Sequence, residues 1–226
     1  MGKMKKIIIL MFLLFPVECF SQIKTFYAEG SKDIKKVSLT FDDGPGKATK
    51  KILEILKENN IKATFFMLGV RVQNDPEGAK AVLASGHEIA NHTYTHTNFY
   101  AYKGENKAIQ IEKELLQGEK IIKDVLDVKP VLVRFPHGYA KPDAVTIAKN
   151  NGYSVINWSF GADWENMSAE EMHAKYRKAI KNGAIFLMHD LLKNDRVLSF
   201  LGVFISEIKK EGYEIVTVSE LLNLKH

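Results

Sequence analysis

The segment that decides the fold is Val37–Leu68, which reads VSLTFDDGPGKATKKILEILKENNIKATFFML. Its first five residues, "VSLTF", are of the types that strands prefer, and "ATFFML" at its end has the same character. Between them, Ile52, Ile55 and Leu56 have the three- and four-residue spacing of one helical face. A strand, a helix and a second strand in this order predict a βαβ unit with parallel strands.

The same alternation continues to the end of the chain. Further strand-like runs are "HEIA", "VLVRF", "YSVINW", "AIFLMH" and "YEIVTV". Helix signals lie between them: Pro76 and Pro142 suit first turns, and Ser168 with Glu171 forms a capping box. About seven such units predict an α/β fold, a distorted TIM-like (β/α)7 barrel. An open doubly wound sheet is the alternative, although no glycine-rich nucleotide fingerprint follows the first strand.

The N-terminus has the pattern of a secretory signal peptide. Three lysines precede an apolar run over residues 7–17, which is too short to span a bilayer comfortably. We therefore expect residues 1–21 to be a signal peptide cleaved after Ser21, residues 22–36 to be a lead-in, and residues 37–226 to form one domain. The expected location is the periplasm or the extracellular side of the envelope, without stable membrane insertion of the mature chain. An uncleaved anchor is the alternative.

The charge distribution argues against nucleic-acid binding, and the cysteine content argues against a disulfide. The formal net charge of +5 includes the lysines of the signal segment, and no block of Lys or Arg follows, so the chain does not resemble a nucleic-acid-binding protein. The only cysteine, Cys19, lies in that segment, so the mature domain is expected to have no disulfide.

Polar and aromatic residues follow the predicted strands. Because parallel βα units present the carboxyl ends of their strands on one face, these residues are expected to converge there. They are Asp42, Asp43, Asn91, His92, His96, Arg134, His137, Asp163, Trp164, His189 and Asp190.

Two pairs of these residues have a spacing that suggests a catalytic or metal-binding site. Asp42 and Asp43 would point to opposite faces of a regular strand, but Gly44-Pro45 ends the strand and allows both carboxylates to reach the barrel mouth. A plain turn is the alternative. His92 and His96 are one helical turn apart and, with a carboxylate, form a familiar ligand set for a catalytic divalent metal; a solvated pair is the alternative.

The stretches "TFDDGP", "GHEIANHTYTH", "RFPHG", "DW" and "FLMHD" resemble the five ordered motifs of the polysaccharide deacetylase family, also called the NodB-homology domain or carbohydrate esterase family 4. The resemblance covers nearly all of residues 37–226. It implies a distorted (β/α)7 barrel and a hydrolase of linear amides. The implied reaction removes N-acetyl groups from polysaccharides that contain N-acetylglucosamine and releases acetate.

The resemblance also implies a role for each motif residue. Asp42 matches the catalytic base, and Arg134 matches the arginine that holds it. Asp43, His92 and His96 match the metal ligands, usually for zinc.

The remaining motifs supply the acid and the pocket. His189 matches the general acid, and Asp163 with Trp164 matches a pair that supports this acid and lines the pocket. Leu187 matches a pocket residue of the last motif. The backbone N–H of His137 matches the donor to the oxyanion.

Two departures from the family pattern leave alternatives open. His137 stands where the family usually has tyrosine, and "WSFGADW" lacks an aspartate that the fourth motif usually carries. A carbohydrate-binding relative without turnover, an O-acetyl esterase acting on xylan and a cyclic-amide hydrolase are the alternatives. The expected partner is an acetylated polysaccharide or oligosaccharide, and the expected state is a monomer.

Overall fold

The computed structural model describes residues 25–190 and 195–224 of the chain. The predicted signal peptide, its cleavage after Ser21 and Cys19 lie outside these residues, as do the first residues of the predicted lead-in.

Strands and helices alternate along the described chain. The strands are β1 (Phe26–Tyr27), β2 (Lys36–Asp42), β3 (Thr64–Met67), β4 (Glu88–Asn91), β5 (Leu132–Val133), β6 (Ser154–Ile156), β7 (Phe160–Gly161), β8 (Ile185–His189) and β9 (Glu214–Ile215). The helices are α1 (Thr49–Glu58), α2 (Gly69–Asn74), α3 (Pro76–Ala84), α4 (Lys107–Leu126), α5 (Pro142–Asn150), α6 (Ala169–Lys178), α7 (Asp195–Lys210) and α8 (Val218–Leu222).

All strand pairs in this sheet are parallel, as predicted. The order is β1-β6-β5-β4-β3-β2-β8-β7, with β9 added beside β2. Over the described residues no ladder joins β7 to β6 or β1, so the sheet is an open half-barrel. The count of seven βα units stays a prediction. In the same part of the chain, no helix is long and apolar enough to cross a membrane.

Strand β2 shows why the barrel interior is polar near the site. Its residues alternate between two environments, as the two-residue period of a strand requires. Val37, Leu39 and Phe41 pack in the main apolar core with helix residues such as Ile52 and Phe204. The alternate positions Ser38, Thr40 and Asp42 are polar and also buried. Asp42 is therefore directed into the interior by the register of its own strand.

The register between strands brings distant residues to the same edge. Asp42 at the end of β2 is paired with His189 at the end of β8. On the other side of β2, Met67 of β3 is paired with Asn91 at the end of β4, directly before His92. The aligned carboxyl ends of the strands therefore bring polar residues from separate βα units close together.

Most predicted elements are present, with shorter limits. The capping box of Ser168 and Glu171 opens α6, which ends at Lys178. The predicted strand "VLVRF" is reduced to Leu132–Val133, because Pro136 opens a short 3-10 turn immediately after it. Helix α2 and strands β1 and β7 were not predicted. Since β1 pairs with β6, part of the predicted lead-in contributes to the sheet.

Candidate active site

A cavity of about 460 Å³ opens at the carboxyl edge of the sheet. Of the residues to which the family motifs assign a role, all line this cavity except Arg134 and Asp163, which lie buried behind it. The lining residues are Asp42, Asp43, His92, His96, Phe135, His137, Gly138, Trp158, Trp164, Leu187 and His189.

Asp42 and Arg134 form a buried ion pair in the wall of the cavity. Arg134 Nη1 donates to Asp42 Oδ1 over 2.6 Å, and the Arg134 side chain has no exposed surface. Its other donors are satisfied by Thr40 Oγ1 and by the carbonyl oxygens of Ile156 and Asn157. Burial lowers the pKa of Arg134, and the Asp42 carboxylate acts in the opposite direction. The guanidinium therefore has a fixed position, and it holds one oxygen of Asp42.

Asp43 turns out of the strand beside Asp42. Its φ of 73° lies in the left-handed region, so the two-residue alternation stops and both carboxylates reach the cavity. The next residue, Gly44, has no room for a side chain, because a Cβ there would lie 2.2 Å from an oxygen of Asp190. Asp190 is itself held by the Thr49 hydroxyl at 2.5 Å, and burial raises its pKa to about 7. This packing fixes the turn that carries Asp43.

Asp43, His92 and His96 form a compact group of potential ligands. Asp43 Oδ1 lies 3.3 Å from Nε2 of His92 and 3.3 Å from Nε2 of His96. The three ligand atoms lie within 4.8 Å of one another. This is the one such cluster of histidine, cysteine and carboxylate side chains in the described part of the chain.

The donor atoms of this group fit a divalent cation. Nδ1 of His92 is 2.6 Å from the carbonyl oxygen of Arg134, which can only accept, so a neutral His92 presents its Nε2 lone pair to Asp43. Asp43 Oδ1 is buried and has no hydrogen-bond donor among the described residues. Burial, together with the proximity of the His92 imidazole, lowers the pKa of His96 to about 4, so it is neutral near pH 7. Lone pairs without protons that face a common point suit a metal ion.

Asp43 is also ionised in this setting. Burial raises the pKa of its carboxyl, but the nearby imidazoles of His92, His96 and His189 outweigh burial and hold it well below its ordinary value.

His189 and Asp163 form a second pair at the cavity, with Asp163 fully buried. Asp163 has no exposed surface; its Oδ1 lies 2.8 Å from His189 Nδ1, and its Oδ2 accepts from the His189 backbone N–H at 2.7 Å. Burial lowers the pKa of His189, but the hydrogen bond and charge of Asp163, with Asp42 and Asp43 further away, raise it to about 9. The imidazole is therefore protonated at neutral pH.

Aromatic side chains border the opening. The Trp164 side chain is exposed, and its ring centroid lies 5.8 Å from that of His189 and 6.1 Å from that of Trp158. The ring of His137, which also lines the cavity, packs edge-on against that of His96 with 4.9 Å between the ring centroids. His137 has a φ of 57° within the 3-10 turn, a conformation that the sequence did not indicate.

Comparison with known proteins identifies the family. The sequence profile described as polysaccharide deacetylase matches residues 29–156, which is more than half of the chain. The chain belongs to the polysaccharide deacetylase family. The predicted family is confirmed, and with it the predicted class of enzyme, a deacetylase of the hydrolase group.

Individual members of the polysaccharide deacetylase family are similar over most of their length. A peptidoglycan-N-acetylglucosamine deacetylase of Bacillus cereus is 39% identical over 198 residues, which cover 85% of this chain and 90% of that protein. A solved structure of a peptidoglycan N-acetylglucosamine deacetylase superposes with a TM-score of 0.84 at 27% identity and covers 89% of this chain and 94% of the other.

A third relative in the polysaccharide deacetylase family is a pseudoenzyme. This carbohydrate esterase family 4 protein of Bacillus anthracis has a TM-score of 0.80 at 28% identity, with 88% of this chain and 69% of that chain covered. The fold is therefore shared with a pseudoenzyme, and the assignment of catalytic roles depends on the side chains of the site.

Some residues at this polysaccharide deacetylase site were not singled out by sequence reasoning. Trp158 lines the cavity, and its ring lies 5.6 Å from the Arg134 guanidinium carbon. Its position at the end of "YSVINW" was the signal that could have found it. Glu114 contacts the chain between His92 and His96 from helix α4. No local pattern connects a mid-helix glutamate to a loop twenty residues earlier.

Proposed function

We propose that this protein is a metal-dependent hydrolase that removes N-acetyl groups from a polysaccharide containing N-acetylglucosamine. The products are acetate and a free amine on the sugar. One observation carries the proposal: a single cavity joins an arginine-held carboxylate, a three-residue ligand group and a protonated imidazole. The peptidoglycan deacetylases among the relatives support the choice of substrate class.

Asp43, His92 and His96 are proposed to hold the ion, with zinc as the expected metal. When bound, it supplies a Lewis acid for the acetyl carbonyl and promotes ionisation of the attacking water. Two imidazoles and one carboxylate leave coordination positions open for such ligands. The lone pairs at Nε2 of His92 and at Oδ1 of Asp43, which have no protein donor in the described residues, support this assignment.

Asp42 is proposed to act as the general base. It must be ionised to take a proton from water, and the buried Arg134 favours the charged form of the carboxylate. Arg134 occupies Oδ1 of Asp42, so Oδ2 is the oxygen left for the water. Arg134 thus acts as a positioning residue, since its fixed contacts determine where that oxygen lies.

His189 is proposed to protonate the leaving nitrogen. An amine anion is a very poor leaving group, so the C–N bond breaks only when the nitrogen receives a proton, which Nε2 of the His189 imidazolium would supply. Asp163 holds the other ring nitrogen. The backbone N–H of His137 is proposed to stabilise the oxyanion of the tetrahedral intermediate.

The rim is proposed to bind the sugar chain. Trp164 and Leu187 would contact the sugar that carries the acetyl group, and the side chain of His137, where the family usually has tyrosine, would contact a neighbouring group. A mostly apolar cleft with a few oriented polar groups is typical of such sites. We propose that the protein is exported and acts outside the cytoplasm as a monomer, where a glycan of the cell wall is accessible to it.

The main rival is a binding protein that lacks turnover. Its sequence support was the shortened fourth motif "WSFGADW", which put Asp163 and His189 in doubt. Asp163 nevertheless reaches both the ring and the backbone of His189, and Asp42 keeps its arginine. A protein that only binds sugar needs neither a general base fixed by an arginine nor a general acid paired with a carboxylate, so these contacts favour the enzyme.

Acetate release tests the proposed function directly. We expect acetate from N-acetylated glycans, tested as chitooligosaccharide and as peptidoglycan fragments, and little from O-acetyl xylan. Exhaustive chelation, checked by elemental analysis, should abolish release, and added zinc should restore it. A preference for O-acetyl xylan would favour the esterase instead. No acetate from any substrate by the zinc-loaded protein would favour the binding protein.

The pH profile tests the pairing of His189 with Asp163. A general acid works while protonated, so activity should persist as pH rises until the imidazole titrates near its raised pKa of about 9. Replacing Asp163 with asparagine removes the negative charge that raises this pKa. The basic limb should therefore move to lower pH by about one unit or more.

The measurement is kcat against pH for the native protein and Asp163→Asn. Glu207 supplies a matched control, because its Oε2 lies 2.7 Å from Nε2 of His173 in another histidine–carboxylate pair outside the cavity. Glu207→Gln should leave the profile unchanged. An unmoved basic limb in Asp163→Asn would contradict the role given to this pair.

A further inference from the structure

The chain between His92 and His96 is not held by regular secondary structure. Strand β4 ends at Asn91, and two residues after it have left-handed backbone angles: Thr93 with a φ of 72° and His96 with a φ of 67°. Such angles are unfavourable for residues with a β-carbon and persist where neighbouring contacts impose them. The position of His96 therefore depends on what contacts the three residues before it.

Glu114 of helix α4 supplies the densest set of these contacts. Its Oε2 accepts the backbone N–H groups of Tyr94 at 3.1 Å and Thr95 at 2.8 Å, and its Oε1 accepts the Thr95 hydroxyl at 2.7 Å. Its side chain is buried, with 5% of the residue exposed. A buried carboxylate is costly unless its oxygens are hydrogen-bonded, and here Oε2 binds both Tyr94 and Thr95 while Oε1 binds Thr95.

The same helix contacts this loop again one turn later. Gly118 lies four residues beyond Glu114, and a Cβ there would be 2.6 Å from Asn91 Oδ1 and 2.9 Å from the Thr93 carbonyl. Asn91 Oδ1 in turn accepts the Thr93 N–H at 2.8 Å. Helix α4 thus lies directly against the loop, with a glycine where the two backbones meet and a carboxylate where the loop needs acceptors.

We propose that Glu114 is a positioning residue for the metal group, which fixes the backbone of Tyr94 and Thr95 so that Nε2 of His96 faces Asp43. This inference rests on the proposed function, because it assumes that Asp43, His92 and His96 bind a cation. Residues that orient metal ligands commonly determine affinity, and their loss weakens binding by about 10- to 100-fold.

Three variants separate positioning from general stabilisation. Glu114→Ala removes both acceptor oxygens and with them all three hydrogen bonds. Glu114→Gln keeps the shape: its amide oxygen can accept both backbone N–H groups while its NH₂ donates to the Thr95 hydroxyl, which can accept. Glu112→Ala is the matched control, because Glu112 is an exposed glutamate on the same helix that accepts only from the Asn151 side chain in the described contacts.

The readout is the zinc dissociation constant of the metal-free protein, measured by calorimetry, beside its melting temperature with and without zinc. We expect Glu114→Ala to bind zinc about 10- to 100-fold more weakly. Glu114→Gln should recover most of the affinity, and Glu112→Ala should match the native protein. Should Glu114→Ala fail to fold, Glu114→Asp carries the test, because it keeps the charge but withdraws the oxygens and should also weaken zinc binding.

Each other outcome overturns the inference. Native zinc affinity in Glu114→Ala, even with a lower melting temperature, would make Glu114 a stabilising residue only. Equal losses in Glu114→Gln and Glu114→Ala would mean that negative charge, rather than hydrogen bonding to the loop, is what matters. A native protein that binds no zinc would overturn the proposed metal group as well, and that result is distinct from the other two.

Discussion

Replacing Asp42 with asparagine is expected to lower kcat for acetate release by about 10²- to 10⁴-fold, the contribution of a positioned general base. Asparagine keeps the size of the side chain and can still accept from Arg134 Nη1, now 2.6 Å from Asp42 Oδ1, but it cannot take a proton from water. Zinc content should remain close to that of the native protein. Asp42 Oδ2 lies 3.8 Å from His92 Nε2, whereas the oxygen of Asp43 that faces both histidines is nearer, at 3.3 Å.

The adjacent residue is the control for this prediction. Asp43→Asn removes the one carboxylate that lies between His92 and His96, so it should lose both zinc and activity. Elemental analysis after dialysis and steady-state kinetics on the two variants make the comparison. If both variants retained zinc equally, or both lost it, the separate roles of base and ligand would be wrong.

Replacing His189 with alanine is expected to lower kcat on N-acetylated oligosaccharide by about 10²- to 10⁴-fold, while activity on an aryl acetate falls much less. The amide nitrogen needs a proton before it can leave, whereas a phenolate leaves without one. The contrast isolates the leaving-group step, because the base and the metal group are common to both substrates.

The measurement is kcat/KM on the two substrates for the same preparation, with zinc content checked. His173→Ala is the matched control, since this histidine also pairs with a carboxylate, Glu207, but lies outside the cavity. It should leave both activities unchanged. Equal losses on amide and aryl ester in His189→Ala would assign this residue to binding or structure instead of proton transfer.

Much of the fold could be predicted because the information is local. The alternation of β2, the helical face of Ile52 and Leu56, and the capping box of Ser168 each depend on residues a few positions apart. Short elements were missed. Strands β1 and β7 have two residues each, and they form because β1 pairs with β6 and β7 pairs with β8.

The candidate site, too, could be predicted only in part. The sequence predicted most of the residues that line it, because acids and imidazoles follow successive strands and parallel strands end on one face. Only the family resemblance implied which side chains pair, because the residue pattern itself does not show which of them meet. Whether "WSFGADW" still delivers a partner to His189 was open, and the answer is Asp163, in contact with both the ring and the backbone N–H of His189.

By itself, then, the sequence determined the parallel α/β class, the family and the residue types at the strand ends. Periodicity, capping and strand termination are set by interactions between near neighbours, which a sequence displays directly. Only the tertiary structure showed through which atoms Arg134 contacts Asp42, 92 positions away, and that Glu114 of α4 binds the loop before His96. Such contacts depend on strand register and helix docking, where small displacements of the backbone decide whether two atoms come within hydrogen-bonding distance.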